Sequence, residues 1–216
     1  MIQFDGYKIN PALLLIDMQN GFCGKGGSYD KLGIDISHYQ KIIPNIKTAI
    51  RMCRKVRIPI FYTEAVREAS GIDLFTNRHK ILPKKRGERI KKIPICVRGT
   101  WDAEIIPELN PNKEDHVVIK RRDSAFQDTE LDLWLSSSLT DTIIFCGADT
   151  SVCVDSSIRD AFNKGYDVIV LSDAVASMHP DYHTATLETI KEWYGLVVTT
   201  DYFEKILASQ VLSVPK

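Results

Sequence analysis

The chain has 216 residues, of which 44% are hydrophobic and 26% are charged, a composition typical of a globular protein. Its 28 basic and 28 acidic residues cancel, which argues against a nucleic-acid-binding protein or one that binds an anionic membrane. The five cysteines include no CxxC pair, which argues against a disulfide framework and a zinc ribbon. The apolar run at 12–16 is too short for a signal or membrane segment, so we expect a cytoplasmic protein with a single domain over 1–216.

In chain order, short apolar runs alternate with helical patterns. The runs predict strands at 11–16, 58–63, 116–119, 142–146, 167–171 and 196–199. Helices are predicted at 42–53, at 130–139, from Cys153 onward and at 183–194. Near-continuous apolar strands that alternate with helices indicate an α/β fold, a three-layer αβα sandwich with a parallel sheet of about six strands.

The 65–100 segment interrupts this alternation. It is rich in charge, contains Pro83 and Pro94 and has little sustained periodicity. A connection of this length inside a compact domain is usually a lid or a binding loop. We interpret its basic stretch, 84–92, as a solvated loop.

The segment 143–154 joins an apolar strand to a glycine, a short polar turn and Cys153, which opens a helix. A thiol at that position lies in the field of unpaired backbone N–H groups, which favours the thiolate. The same N–H groups can receive the charge on a carbonyl oxygen under attack. Position alone slightly favours a small buried cysteine without a catalytic role, so other residues must decide.

Two more reactive side chains stand at strand ends. Asp17 follows the strand at 11–16, and Lys120 follows the strand at 116–119. Ligands of open parallel sheets bind beyond the carboxyl ends of the strands, so Asp17, Lys120 and Cys153 are expected to converge. A carboxylate can take the thiol proton and later protonate a leaving amine, and a lysine beside it balances the charge.

These residues lie in motifs that resemble the isochorismatase-like cysteine hydrolase family. The motifs are LLIDMQNGF at 14–22, KRRDSAF at 120–126 and GADTSVCV at 147–154. The resemblance implies that Asp17, Lys120 and Cys153 form a catalytic triad. It also implies a cis peptide between Ala148 and Asp149, with the N–H groups of Asp149 and Cys153 as the oxyanion hole.

Differences between this sequence and other members of the family limit the reactions that we expect the protein to catalyse. The cysteine disfavours isochorismate hydrolysis, because members with that activity lack it. Nicotinamidases resemble this chain in the triad but carry a histidine metal motif after the second strand. Here that place reads TEAVR at 63–67, so we expect no metal and no other cofactor.

The stretch 97–109 resembles the branch of ureidoacrylate amidohydrolases, biuret hydrolases and N-carbamoylsarcosine amidases. The resemblance implies hydrolysis of the C–N bond of a small ureido or carbamoyl amide, with release of ammonia. Four residues are predicted to bind the substrate: Phe22, Glu64, Trp101 and Phe126. A homo-oligomer, either a dimer or a tetramer, is also expected.

Two alternatives stay open. The first is a nicotinamidase-like or other small-carboxamide hydrolase, which a panel of amides would distinguish. The second is a catalytically silent binding protein of the same fold, which the three reactive side chains disfavour.

Overall fold

The computed structural model of the protein describes residues 1–211, whose strands form two sheets. A short antiparallel hairpin pairs β1 (Ile2–Phe4) with β2 (Tyr7–Ile9), and the sequence patterns above did not predict it. The strands of the main sheet are β3 (Pro11–Ile16), β4 (Ile60–Ala65), β5 (His116–Lys120), β6 (Thr142–Ala148), β7 (Asp167–Ala176) and β8 (Leu196–Val198). They are all parallel and lie in the order β5-β4-β3-β6-β7-β8, which confirms the predicted sheet.

Helices cover both faces of the main sheet. They are α1 (Asn20–Cys23), α2 (Ser28–Lys31), α3 (Ser37–Lys55), α4 (Phe75–Arg78), α5 (Lys84–Lys92), α6 (Leu131–Ser137), α7 (Asp155–Asn163), α8 (Pro180–Trp193) and α9 (Thr200–Val211). One apolar core lies between the sheet and α3 with α9, and a second lies between the opposite face and α6, α7 and α8. This is the predicted three-layer αβα sandwich. Within residues 1–211 no helix is both long and apolar enough to cross a membrane.

The central strands have the near-continuous apolar sequences that a doubly covered parallel sheet requires. All six residues of β3 and all seven of β6 are buried. Gly147 allows these two strands to pair closely at their carboxyl ends. Its φ is +115°, and a Cβ at this position would overlap the backbone oxygen of Ile16.

The interpretation of 84–92 as a solvated loop is wrong, because these residues form α5. The inward side of α5 carries Arg86, Arg89 and Ile90, which are partly buried. Arginine stems can pack against other side chains while their charged ends reach polar partners. A pattern that counts arginine only as a surface residue therefore misses this helix.

Candidate active site

A cavity of about 500 Å³ opens at the carboxyl ends of the central strands. The chain runs from β3 outward to β4 and β5 and then returns to β6 on the other side of β3. This reversal of strand order is the place where open α/β sheets bind ligands. Asp17, Lys120 and Cys153 all line this cavity, so the structure brings the three residues together.

Asp17 follows β3 directly and is buried in a left-handed conformation, with φ +52°. This conformation is uncommon for a residue with a side chain. Thr63 on the neighbouring β4 fixes it from two sides. The Thr63 Oγ1 accepts a hydrogen bond from the Asp17 N–H (3.0 Å) and donates one to Oδ1 (2.5 Å).

Lys120 is the last residue of β5 and is also buried. Its Nζ lies 2.8 Å from Oδ2 of Asp17 and donates to the carbonyl oxygens of Arg122 (3.0 Å) and Asp123 (2.9 Å). Burial alone would lower the pKa of the ammonium, but the neighbouring Asp17 and Cys153 outweigh it and raise the pKa above its usual value. Lys120 therefore stays charged and holds the carboxylate of Asp17 in place.

Cys153 lies in a single π-helical turn, Thr150–Val154, which leads directly into α7. Such turns occur frequently at functional sites. Burial raises the pKa of the Cys153 thiol well above its usual value, and Lys120 offsets only part of this effect. The charge of the neighbouring Asp17 carboxylate raises the pKa further. Burial therefore acts against the thiolate that the helix start was expected to favour.

The peptide between Ala148 and Asp149 is cis, as the resemblance implied. The Asp149 carboxylate caps the π-helical turn, because Oδ1 accepts from the N–H (3.0 Å) and the hydroxyl (2.9 Å) of Ser151. Its Oδ2 accepts from the Tyr39 hydroxyl (2.8 Å) and the Met178 N–H (2.9 Å). The backbone that presents Cys153 is thus tied to α3 and to the loop before α8.

Of the four residues predicted to bind substrate, only Phe22 lines this cavity. Glu64 follows Thr63 in β4, and alternate residues of a strand point to opposite faces. Because Thr63 faces Asp17, Glu64 points away, towards Glu104 and Ile105, where burial and the Glu104 carboxylate raise its pKa.

Trp101 and Phe126 also lie outside the lining of this cavity. Trp101 begins a 3₁₀ turn, Trp101–Ala103, and lines a separate small cavity beside α1. Phe126 is buried in the core under α6 and α7, with its ring 6.0 Å from that of Tyr166. Aromatic character inside or near a motif does not distinguish a packed residue from a pocket wall.

The sequence interpretation missed two cavity tyrosines, Tyr29 and Tyr39. A signal existed for Tyr39, because it lies three residues before Ile42 and extends the apolar stripe of α3 by one turn. No comparable signal marks Tyr29, which reaches the cavity through packing against Phe22, with ring centroids 4.9 Å apart. Within residues 1–211, no group of three or more His, Cys, Asp or Glu side chains is arranged to hold a metal ion.

Residues 11–202 match the model of the isochorismatase domain. The chain belongs to the isochorismatase family. It is 36% identical over 208 residues to the ureidoacrylate amidohydrolase RutB of Serratia proteamaculans (strain 568), a match that covers 92% of this chain and 83% of that protein.

Two solved structures of the same family are also similar. A cysteine hydrolase from Pseudomonas syringae pv. phaseolicola 1448A superposes with a TM-score of 0.81 at 28% identity, over 96% of this chain and 97% of the other. The N-carbamoylsarcosine amidase of Thermoplasma acidophilum gives a TM-score of 0.69 at 25% identity, over 89% and 98%. The chain is thus a cysteine-type hydrolase of this family that acts on amide C–N bonds.

Proposed function

We propose that this protein hydrolyses the C–N bond of a small ureido or carbamoyl amide and releases ammonia, with Cys153 as nucleophile. The observation that carries the proposal is the cluster of Asp17, Lys120 and Cys153 in the main cavity. Similarity to a ureidoacrylate amidohydrolase and to an N-carbamoylsarcosine amidase supports the substrate class.

In the proposed reaction, Asp17 takes the Cys153 proton as the sulfur attacks the terminal carbamoyl carbon. The transfer accompanies the attack because burial raises the pKa of the thiol and disfavours a preformed thiolate. Oδ1 of Asp17 is occupied by the Thr63 hydroxyl, which leaves Oδ2 beside Lys120 to receive the proton. The N–H groups of Asp149 and Cys153 stabilise the oxyanion.

The tetrahedral adduct then collapses. The carbon–nitrogen bond breaks, Asp17 returns its proton to the leaving nitrogen, and ammonia departs. The acyl group stays on sulfur as a thiocarbamate. Water, deprotonated by Asp17, attacks the same carbon, restores the thiol and releases the substituted carbamic acid. Lys120 keeps its charge throughout and orients the carboxylate.

The test is ammonia release from a panel that contains 3-ureidoacrylate, N-carbamoylsarcosine, biuret and nicotinamide. We expect turnover of a ureido or carbamoyl compound and none of nicotinamide. Turnover of nicotinamide alone would replace the proposal with the carboxamide-hydrolase alternative. Absence of ammonia together with an unreactive Cys153 thiol would favour a silent binding protein.

We also propose a homo-oligomer in the cytoplasm. Trp193 at the end of α8 is 65% exposed, and Phe162 on α7 is 45% exposed, which supports a contact surface beside these helices. All five cysteines are free thiols, in keeping with a reducing compartment. Light scattering after gel filtration tests the proposed homo-oligomer, and a monomer at micromolar concentration would refute it.

A further inference from the structure

The charged residues around the main cavity do not balance. Four carboxylates line it, and so do six cationic side chains: Arg67, Lys85, Arg86, Arg89, Lys120 and Arg122. A cleft lined by an excess of one charge favours ligands of the opposite charge. The cavity therefore favours an anionic ligand over a neutral one.

Each of the four carboxylates already has partners. Asp17 pairs with Lys120, and Asp123 accepts two hydrogen bonds from Arg86 (2.9 and 2.5 Å). Glu68 pairs with Arg98 and Arg121, and the Asp149 carboxylate is bound as described above. No carboxylate of the cavity thus forms an ion pair with the other four cations, which are Arg67, Lys85, Arg89 and Arg122.

Three of these four cations either have other contacts or are exposed to solvent. The guanidinium groups of Arg67 and Arg122 lie over the Phe75 ring, 5.5 and 5.2 Å from its centroid. Each also donates to backbone carbonyl oxygens at about the usual hydrogen-bond distance. Lys85 is exposed to solvent.

Arg89 differs from these three. It is partly buried on the inner side of α5, and its Nη1 contacts the sulfur of Met178 at 3.3 Å, a weak acceptor. Among the side chains of residues 1–209, no carboxylate lies within ion-pair distance of it. Arginine in such a setting has five N–H donors, in a planar fork that matches the two oxygens of a carboxylate.

Arg89 and Cys153 both lie near Tyr29. Burial and the adjacent Cys153 and Asp149 raise the pKa of Tyr29, while the Arg89 charge acts in the opposite direction. Both residues are thus close to Tyr29, and all three line one cavity. A short molecule can therefore place one end at the sulfur and the other end at the guanidinium.

We propose that Arg89 determines specificity by binding a carboxylate at the end of the substrate opposite its carbamoyl group. The substrate class is then a ureido or carbamoyl monoanion, and neutral amides such as biuret are poor ligands. This inference rests on the proposed function for the carbamoyl end, but the anion site is testable without turnover.

The experiment measures binding by calorimetry in the full chain that carries Cys153→Ala, which prevents turnover. The two probes are 3-ureidopropionate and its methyl ester, which differ in the charge at the end away from the carbamoyl group. We expect the acid to bind about tenfold more tightly than the ester, a difference typical of one added charge-assisted contact. Arg89→Met should reduce this preference to about one, and Arg89→Lys should retain part of it.

Lys91→Met is the matched control, because Lys91 is an exposed cation on α5 that does not line the cavity. It should keep the full preference for the acid. Thermal unfolding shows whether each variant folds, and Arg89→Gln replaces Arg89→Met if the latter does not. An unchanged preference without Arg89, equal binding of both probes in its presence, or no binding of either probe would overturn the inference.

Failure of the anion site can be distinguished from failure of the proposed reaction. Arg89-dependent binding of the acid, with no ammonia released by the protein that retains Cys153, would refute the reaction and keep the anion site. Ammonia release from ureido acids and from their neutral esters at equal efficiency, in the wild type and in Arg89→Met alike, would keep the reaction and refute the anion site.

Discussion

The crevice at the strand ends and the 65–100 segment contribute differently to the same cavity. The crevice residues Asp17 and Lys120 are buried, and each is fixed by contacts with a neighbouring strand or turn. The 65–100 segment supplies partly exposed arginines on a nine-residue helix, α5. The comparison suggests that buried strand ends fix the chemistry, whereas the segment that covers them selects the ligand.

The sharpest test of this division is Cys153→Ala, which should remove activity below detection while leaving the fold intact. Only a sulfur atom is lost, from a partly exposed position at the cavity. Ammonia release gives the activity, and circular dichroism checks the fold. Cys146→Ala is the matched control, because Cys146 is fully buried in β6 and should retain most activity. Near wild-type turnover by Cys153→Ala would show that the crevice residues do not carry out the reaction.

Asp17→Asn should lower kcat by about a hundred- to ten-thousand-fold. The amide keeps the shape of the carboxylate but cannot take the thiol proton, and burial, which raises the pKa of Cys153, works against a preformed thiolate that could replace that step. Steady-state kinetics on the best substrate of the panel measure the loss. Full activity in this variant would show that another base drives the reaction.

Lys120→Met should lower activity and also stability. It leaves the buried Asp17 carboxylate without its counter-charge, and breaking a buried ion pair in this way costs about 3–5 kcal/mol of unfolding free energy. Chemical denaturation measures this loss. The double variant Asp17→Asn with Lys120→Met should recover part of the stability but none of the activity. If Lys120→Met is as stable as the wild type, the pair does not hold the crevice in place.

The smallest expected effect concerns two aromatic residues, one that lines the main cavity and one that lies outside it. Phe22→Ala removes a wall of the main cavity and should raise KM severalfold, whereas Trp101→Ala alters only the separate cavity beside α1. Trp101→Ala should keep kcat/KM within about twofold of the wild type, as expected for a substitution away from the site. A larger loss for Trp101→Ala than for Phe22→Ala would mean that the cavity assignment is wrong.

The sequence predicts the crevice at the strand ends better than it predicts the 65–100 segment. The apolar run 11–16 matches β3 residue for residue, because a strand covered on both faces must be apolar throughout. The convergence of Asp17, Lys120 and Cys153 follows from parallel strands that end at one edge. The direction in which the Glu64 side chain points could not be predicted without the strand register, since a shift of one residue reverses the face on which a side chain lies.

Other features depend on contacts that no local pattern contains. The placement of α5 rests on the two hydrogen bonds between Arg86 and Asp123, residues 37 positions apart. The state of the Cys153 thiol depends on burial, which only the assembled cavity defines. The sequence motif identified the residue but not the burial that raises its pKa.

The central claim is that Cys153 carries the acyl group between ammonia release and hydrolysis. Product analysis during turnover in the presence of hydroxylamine tests it most directly, because this small nucleophile competes with water for a covalent intermediate. The account predicts an N-hydroxyurea product that increases with hydroxylamine concentration in the wild type and is absent in Cys153→Ala. Products formed by water alone, at hydroxylamine concentrations that leave the enzyme active, would contradict it.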